Sequence, residues 1–311
     1  MPSLPELSPA LRFERLAPPK GPVRMVLDTD TFNEIDDQFA VAYALLSRPM
    51  LTVEALYAAP FLNPRVASAA EGMERSHEEL HRILERMERD PEGFVYRGSR
   101  DFLGGPSEPR ESAAAEDLIR RAMEGKPSDP PLYVAAIGAI TNVASAILME
   151  PAIIERIVVV WLGGQPYHWP SARDFNLGQD LHASRYLFDC GVPLAHIPCL
   201  GVASHLLTSG PEIARWAAGQ GRIGDYLAGI FEEFTGGQAA WAKEIWDLSA
   251  VAFLINSRWT PSQVTHSPLL NDQCTWSRDE SRHFIRVVSY VRRNPIFQDL
   301  FAKLAEFAET S

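Results

Sequence analysis

Residues 23–47 have the sequence VRMVLDTDTFNEIDDQFAVAYALLS, in which an acidic segment separates two apolar runs. The first run predicts a buried strand, and the second, which begins at Asp37, predicts a buried helix. Five carboxylates lie within ten residues at this junction: Asp28, Asp30, Glu34, Asp36 and Asp37. Helix capping accounts for one or two of them, because aspartate is favoured in the first helical turn. It does not account for all of them meeting at the end of one strand.

Strand-like and helix-like segments alternate along most of the remaining chain. Strands are predicted at 23–27, 51–58, 94–96, 132–137, 157–162 and 192–197, and helices at 37–46, 65–89, 111–123, 141–149, 181–188 and over most of 211–258. The alternation predicts an α/β fold with a Rossmann-like core, in which a mostly parallel central sheet carries helices on both faces. Residues 1–22 contain six prolines and are predicted to form an irregular N-terminal arm before a single domain over 23–311.

Ligands of such sheets bind beyond the carboxyl ends of the strands. The acidic segment follows the first strand and is therefore predicted to lie at this edge. Two like charges about 4 Å apart repel each other by roughly 4 kcal/mol at an effective dielectric of 20, so protons or a cation must lie among the carboxylates. No histidine or cysteine is adjacent in the sequence. An all-oxygen ligand set favours Ca²⁺ or Mg²⁺ over Zn²⁺.

The composition of the chain limits the classes of partner. Its 311 residues carry a formal net charge of −11, which disfavours nucleic acid, because phosphate binding needs a basic face. The sequence lacks the run of 18 or more apolar residues that would predict a membrane span. The proline-rich start does not resemble a signal peptide. Three cysteines without paired spacing are expected to be reduced, buried thiols. We therefore expect a cytoplasmic protein with a small-molecule ligand.

Five segments, in order, resemble the motifs of the inosine/uridine-preferring nucleoside hydrolase family. They are DTDTFNEIDD (28–37), VYRGSRDFLGG followed by ESAAAEDLIRRA (95–122), AAIGAITNVASAI (135–147), WLGGQ followed by RDFNLGQDLHAS (161–184), and IWDLSAVAFLI (245–255). The first is similar to the family's D-x-D-x-x-x-D-D motif at the end of the first strand. The resemblance covers about residues 24–256 and implies the nucleoside-hydrolase type of α/β fold, with a homodimer or homotetramer as the expected assembly.

The resemblance also implies a metal site. Its Ca²⁺ ligands would be Asp30, Asp37, the backbone carbonyl of Ile137, and Asp247. The ion would hold the attacking water and two ribose hydroxyls, and Asp30 would act as general base on that water. Asp36 and Asn63 would bind the ribose and the waters on the metal, and Asp28 would orient the loop.

Two further positions match residues of the family that hold the ribose. Asp174 and Asn176 correspond to a Glu and an Asn that bind sugar hydroxyls, and in an extended loop both would face the sugar with Phe175 turned away. On its own, this tripeptide is more typical of an ordinary polar turn, but its register with the other motifs favours the sugar-binding interpretation. The implied reaction is hydrolysis of the N-glycosidic bond of a ribonucleoside or related N-riboside through an oxocarbenium-like transition state, as in purine or pyrimidine salvage. The base preference does not follow from the sequence.

The sequence departs from the family at three places. Five residues rather than three separate Asp30 from Asp36, which adds Glu34, and Asp174 is one methylene shorter than the family's Glu. Trp246 stands where many members have a His that serves the leaving group. An indole N–H cannot titrate, so Trp246 is expected either to stack on an aromatic leaving group or to fill the core. The predicted alternatives for a proton donor are Tyr167 and His168.

Two other functions remain open at this stage. The run VRMVLDTDT also fits a haloacid-dehalogenase-type phosphatase with Asp28 as nucleophile, although the later acidic pair of that class is not found. The altered loop and Trp246 also allow a non-catalytic nucleoside-binding or sugar-binding protein on the same scaffold. Retention of Asp30 favours the enzyme, because a binding protein does not require a base.

Overall fold

A computed structural model describes residues 4–310 of the chain, so residues 1–3 and 311 lie outside the description that follows. The strands are β1 (Val23–Thr29), β2 (Leu51–Ala58), β3 (Val95–Arg97), β4 (Leu132–Ala136), β5 (Ile157–Leu162), β6 (Leu194–Ile197), β7 (Leu207–Ser209), β8 (Ala242–Glu244), β9 (Ser262–His266), β10 (Leu269–Leu270), β11 (Trp276–Ser277) and β12 (Phe284–Val288). The α-helices are α1 (Pro9–Leu16), α2 (Asp36–Leu46), α3 (Ala69–Arg86), α4 (Ala113–Met123), α5 (Thr141–Met149), α6 (Phe175–Gln179), α7 (Leu181–Asp189), α8 (Gly210–Trp216), α9 (Gly221–Thr235), α10 (Leu248–Ile255) and α11 (Arg293–Thr310).

Eight strands form one sheet in the order β3-β2-β1-β4-β5-β6-β12-β9. Every neighbouring pair is parallel except the edge pair of β12 and β9. Alternating side chains of β1 enter two separate apolar layers: Met25 and Leu27 pack with helices α2, α3, α9, α10 and α11, whereas Val26 packs with α4, α5 and α7. The predicted α/β fold, with a mostly parallel sheet and helices on both faces, is confirmed.

The N-terminal arm differs from its prediction. Residues 1–22 were expected to be irregular, but helix α1 spans Pro9–Leu16, with the Ser8 side chain accepting a hydrogen bond from the Leu11 amide. Proline is compatible with the first helical turn, where its missing N–H needs no partner, so Pro9 begins the helix rather than preventing it. Two buried arginines hold the helix in place. Arg12 donates to the carbonyl of Gly191, and Arg15 donates to that of Pro127.

The segment 211–258 is also less helical than predicted. Strand β8 pairs antiparallel with β7 and holds Lys243 in a buried position just before Trp246 and Asp247. A strand of three residues is too short to show a period of two in the sequence. Within residues 4–310, no helix combines the length and apolar character that a membrane crossing requires.

Candidate active site

A cleft of about 290 Å³ opens at the carboxyl edge of the sheet, where β1, β4 and β5 end. Fifteen residues line it: Asp30, Asn33, Glu34, Asp36, Asp37, Ile137, Leu162, Gln165, Asp174, Phe175, Asn176, Cys199, Leu200, Trp246 and Asp247. Segments remote in sequence meet here because parallel strands place all their carboxyl ends on one side.

The floor of the cleft is a buried acidic cluster. Asp36 and Asp37 open α2, and Asp247 immediately precedes α10. One carboxylate oxygen from each of the three lies within 4.8 Å of the others. Burial, and then the charges of the neighbouring carboxylates, raise the pKa of Asp247 and of Asp37 well above the usual range. The cluster is therefore costly as three bare anions, and bound protons or a cation relieve the repulsion.

Asp30 lies beside this cluster at the end of β1, and its Oδ2 is buried without a hydrogen-bond partner. Burial first, then the charges of Asp37 and Asp36, raise the pKa of Asp30. A Cβ at Gly138 would lie 3.0 Å from Oδ1 of Asp30, so a larger residue here would press on this carboxylate and require it to shift by a few tenths of an ångström. Four buried carboxylates, one with an orphan oxygen, form an all-oxygen donor set that fits a hard divalent cation.

Asp28 lies behind the cleft rather than in it. Its Oδ1 accepts a hydrogen bond of 2.7 Å from the Asn142 side chain, which also donates to the carbonyl of Ala58. Asp28 is fully buried and does not line the cleft, and burial raises its pKa to about 7. A nucleophile must reach its substrate, so this position does not support the phosphatase alternative.

The ends of β4 and β5 are joined by Asn176. Its Nδ2 donates to the carbonyls of Ile137 at 2.9 Å and Leu162 at 3.0 Å. Both amide hydrogens are thereby used, so the Asn176 side-chain oxygen is the atom that can accept from a ligand hydroxyl. The predicted metal ligand, the Ile137 carbonyl, is at the cleft and still has a second lone pair.

Asp174 lies in the cleft wall, but its local structure differs from the predicted extended loop. It is the N-cap of α6, and its Oδ1 accepts from the amides of Leu177 at 2.9 Å and Gly164 at 2.6 Å. Its Oδ2 accepts from Sγ of Cys199 at 3.1 Å. The backbone here is neither an extended loop nor a polar turn but the start of a helix, and Phe175, which was predicted to turn away, also lines the cleft.

Asn63 is not among the residues that line the cleft. Its Nδ2 donates to Oδ1 of Asn33 at 2.9 Å, and Asn33 is the residue that faces the cleft. Asn63 therefore acts one contact away from the site, through the loop that carries Asn33.

The two predicted proton donors also lie elsewhere. His168 is exposed and borders a different cavity together with Tyr167. The Tyr167 hydroxyl contacts Nδ1 of His196 at 2.8 Å, and Nε2 of His196 lies 2.5 Å from the Gly163 carbonyl. A carbonyl can only accept, so Nε2 carries the proton and Tyr167 donates to Nδ1.

The sequence left Glu34 unassigned and predicted no role at the site for Lys243 or Cys199. Glu34 lines the cleft and forms a 2.5 Å ion pair with Lys243, which is buried on β8. Their separation of 209 residues gives no local signal. Cys199, assigned to the core, also lines the cleft and donates to Asp174. Trp246 is half-buried and lines the cleft, so it does more than fill the core.

The fold and the cleft together define an α/β protein with a buried acidic cluster at the floor of an open cleft. The family model "Inosine-uridine preferring nucleoside hydrolase" matches residues 25–289, and the chain belongs to that family. The resemblance found in the sequence is thereby confirmed.

Individual relatives are distant. The chain is 30% identical over 106 residues to a putative pyrimidine-specific ribonucleoside hydrolase of Shigella boydii, covering 33% of this chain and 43% of that protein. It is 29% identical over 122 residues to an uncharacterised protein of Schizosaccharomyces pombe, covering 38% of each. These alignments span less than half of either relative.

Solved structures support the fold over almost the whole chain. A plant nucleoside hydrolase aligns with a TM-score of 0.71 at 18% identity, covering 91% of this chain and 99% of that one. A purine-preferring ribonucleoside hydrolase from Gardnerella vaginalis aligns with a TM-score of 0.71 at 18% identity, covering 93% and 100%.

Proposed function

We propose that the protein hydrolyses the N-glycosidic bond of a ribonucleoside or related N-riboside, releasing the base and ribose. The observation that carries this proposal is the buried cluster of Asp36, Asp37 and Asp247, with the orphan oxygen of Asp30 beside it, at the floor of an open cleft. One similar protein is named a putative pyrimidine-specific ribonucleoside hydrolase and another a purine-preferring ribonucleoside hydrolase, so no base preference is transferred.

The proposed cofactor is Ca²⁺. Asp30, Asp37, Asp247 and the Ile137 carbonyl would hold it, because hard cations take carboxylate and carbonyl oxygens. A bound divalent cation supplies the site with an acidified water. Asp36 and the side-chain oxygen of Asn176 lie in the same cleft and would accept hydrogen bonds from sugar hydroxyls.

Asp30 is the proposed general base. Asp30 lines the cleft, and its unpaired Oδ2 would accept the proton of an attacking water. As the C1′–N bond breaks, positive charge develops on the sugar, and the carboxylates that surround the cleft stabilise it. The cytoplasmic location, the homodimer or homotetramer and the role in nucleoside salvage stay predictions.

The test is ribose release from a panel of purine and pyrimidine nucleosides. The protein is stripped with a chelator and reloaded separately with Ca²⁺, Mg²⁺ or Zn²⁺. We expect release with Ca²⁺ and its loss after chelation or in Asp30→Asn. The exposed Asp272, paired only with Arg185 at the surface, gives a matched control as Asp272→Asn.

Three outcomes would contradict parts of the proposal. Full activity after chelation would exclude the cation, and full activity of Asp30→Asn would exclude the general base. Nucleoside binding by calorimetry without any release would instead support the non-catalytic binding protein.

A further inference from the structure

The cleft contains no side chain that can protonate a departing base. None of its fifteen lining residues is a histidine, a lysine or a tyrosine. Trp246 occupies the position where the family's His is expected, and His168 and Tyr167 border a different cavity. An indole N–H does not titrate in the physiological range, so Trp246 cannot supply the proton.

The acids that line the cleft are engaged in other contacts. Asp174 uses both oxygens, one for the amides of Gly164 and Leu177 and the other for the thiol of Cys199. Glu34 is paired with Lys243. The remaining four carboxylates form the acidic floor at the proposed cation site. None of these groups is arranged to deliver a proton to a leaving group.

Part of the cleft lining is apolar and aromatic. Phe175 is 38% exposed, Leu200 is 39% exposed and Trp246 is half-buried, and all three line the cleft. Six carboxylates line the cleft, and the charges of one divalent cation and of Lys243 compensate for only half of them. An indole face in a negative field favours a flat, positively charged ring.

We propose, on the basis of the function proposed above, that this cleft prefers N-ribosides whose leaving group is a cationic heteroaromatic ring. A pyridinium riboside and an N7-alkylated purine riboside are examples of this class. When the C1′–N bond breaks, both electrons go to the ring, which becomes neutral and leaves as a stable base. The water oxygen bonds to C1′, and its proton passes to Asp30. No proton has to be delivered to the leaving group, whereas a neutral nucleoside releases an anionic base that requires one.

The first test compares guanosine with N7-methylguanosine, which differ by one methyl group and one charge. For the Ca²⁺-loaded protein, kcat/KM of each substrate is divided by its uncatalysed hydrolysis rate under the same conditions, because the cationic riboside is intrinsically more reactive. We expect this enhancement to be at least about tenfold larger for the cationic riboside. An equal or larger enhancement for guanosine overturns the inference and leaves the proposed function standing. Absence of hydrolysis of N7-methylguanosine overturns the inference, and the panel of purine and pyrimidine nucleosides decides the proposed function separately.

The second test changes Trp246. Trp246→Leu removes the aromatic face and should raise KM for N7-methylguanosine about 3- to 30-fold more than KM for guanosine, the range of a desolvated cation–π contact. Trp246→Phe should retain most of the preference. Trp246→His supplies a titrating group, so guanosine hydrolysis should increase with a new acidic limb in its pH profile, whereas the cationic riboside should not benefit. Trp216→Leu, at an exposed tryptophan outside the cleft, is the matched control.

The kinetics of a variant are interpreted only if that variant unfolds cooperatively at a temperature near that of the wild type. If a variant does not, the comparison of the two substrates with the wild-type protein decides the inference. An unchanged substrate ratio in Trp246→Leu, or equal gains for both substrates in Trp246→His, contradicts the role assigned to the indole.

Discussion

Asp247→Asn should stabilise the metal-free protein and abolish its stabilisation by Ca²⁺. In the structure, oxygens of Asp36, Asp37 and Asp247 lie within 4.8 Å of one another, and all three side chains are buried. Two unit charges at that distance repel by about 3 kcal/mol at an effective dielectric of 20. Proton uptake relieves part of this, because burial and the neighbouring charges raise the pKa of Asp247. We therefore expect a gain of about 1–3 kcal/mol in the metal-free state rather than the full pairwise repulsion.

Thermal unfolding with and without Ca²⁺ measures both effects. A gain of that size corresponds to an increase of roughly 2–12 °C in the Tm of the metal-free variant, because each kcal/mol shifts the Tm of a chain of this size by about 2–4 °C. For the wild type, Ca²⁺ at a hundred times its Kd should add about 2.7 kcal/mol, and for the variant this increment should disappear. Asp272→Asn removes an exposed carboxylate and should change neither value by more than about 1 kcal/mol.

Two outcomes would refute the reasoning. A lower metal-free Tm in Asp247→Asn would mean that the contacts made by the Asp247 carboxylate stabilise the fold by more than its repulsion with Asp36 and Asp37 destabilises it. An undiminished Ca²⁺ shift in the same variant would place the ion elsewhere.

Three further predictions concern residues around the cluster. Gly138→Ala should lower kcat at least tenfold with a smaller effect on Tm, because its Cβ would lie 3.0 Å from Oδ1 of Asp30; an unchanged kcat would contradict this. Lys243→Met should destabilise the protein by about 1–3 kcal/mol in urea unfolding, because it leaves Glu34 at the cleft without its counter-charge, whereas Lys243→Arg should restore most of the loss. Burial lowers the pKa of His196 to about 4, so below pH 6.5 the unfolded state gains a proton that the folded state does not, and stability should fall by up to about 1.4 kcal/mol per pH unit between pH 6.5 and 4. His196→Phe should flatten the dependence measured by urea unfolding across this range, and an unchanged slope would exclude His196 as its source.

The sequence predicted the part of the molecule whose signal is local. The apolar run that ends at Asp28 is β1, and the acidic pair at the start of α2 lies at the edge where parallel strands end. Pro9 misled the prediction of the arm, because its effect depends on whether it stands inside a helix or at its first position.

The contacts of Lys243, Cys199 and His168 could not be predicted from the sequence, because they form between segments that only the folded chain brings together. Lys243 was placed in a helix, and only the pairing of β8 with β7 directs it towards Glu34. Cys199 and Asp174 are 25 residues apart and meet only because β5 and β6 are neighbours. His168 was expected to overhang the cleft since it follows a glycine turn, but the chain carries it into another cavity.

The departures from the family pattern are physically connected. The longer loop carries Glu34, whose ion pair with Lys243 ties that loop to the segment that continues into Trp246 and Asp247. Asp247 belongs to the acidic cluster. One short segment therefore carries both Asp247, which matches the family motif, and Trp246, which replaces the motif's histidine. Glu34 and Trp246 both line the cleft, so the loop insertion and the replaced histidine position both alter its lining. The acidic floor carries the carboxylates of the sequence motif, and we expect the chain's own specificity to arise from these altered lining residues.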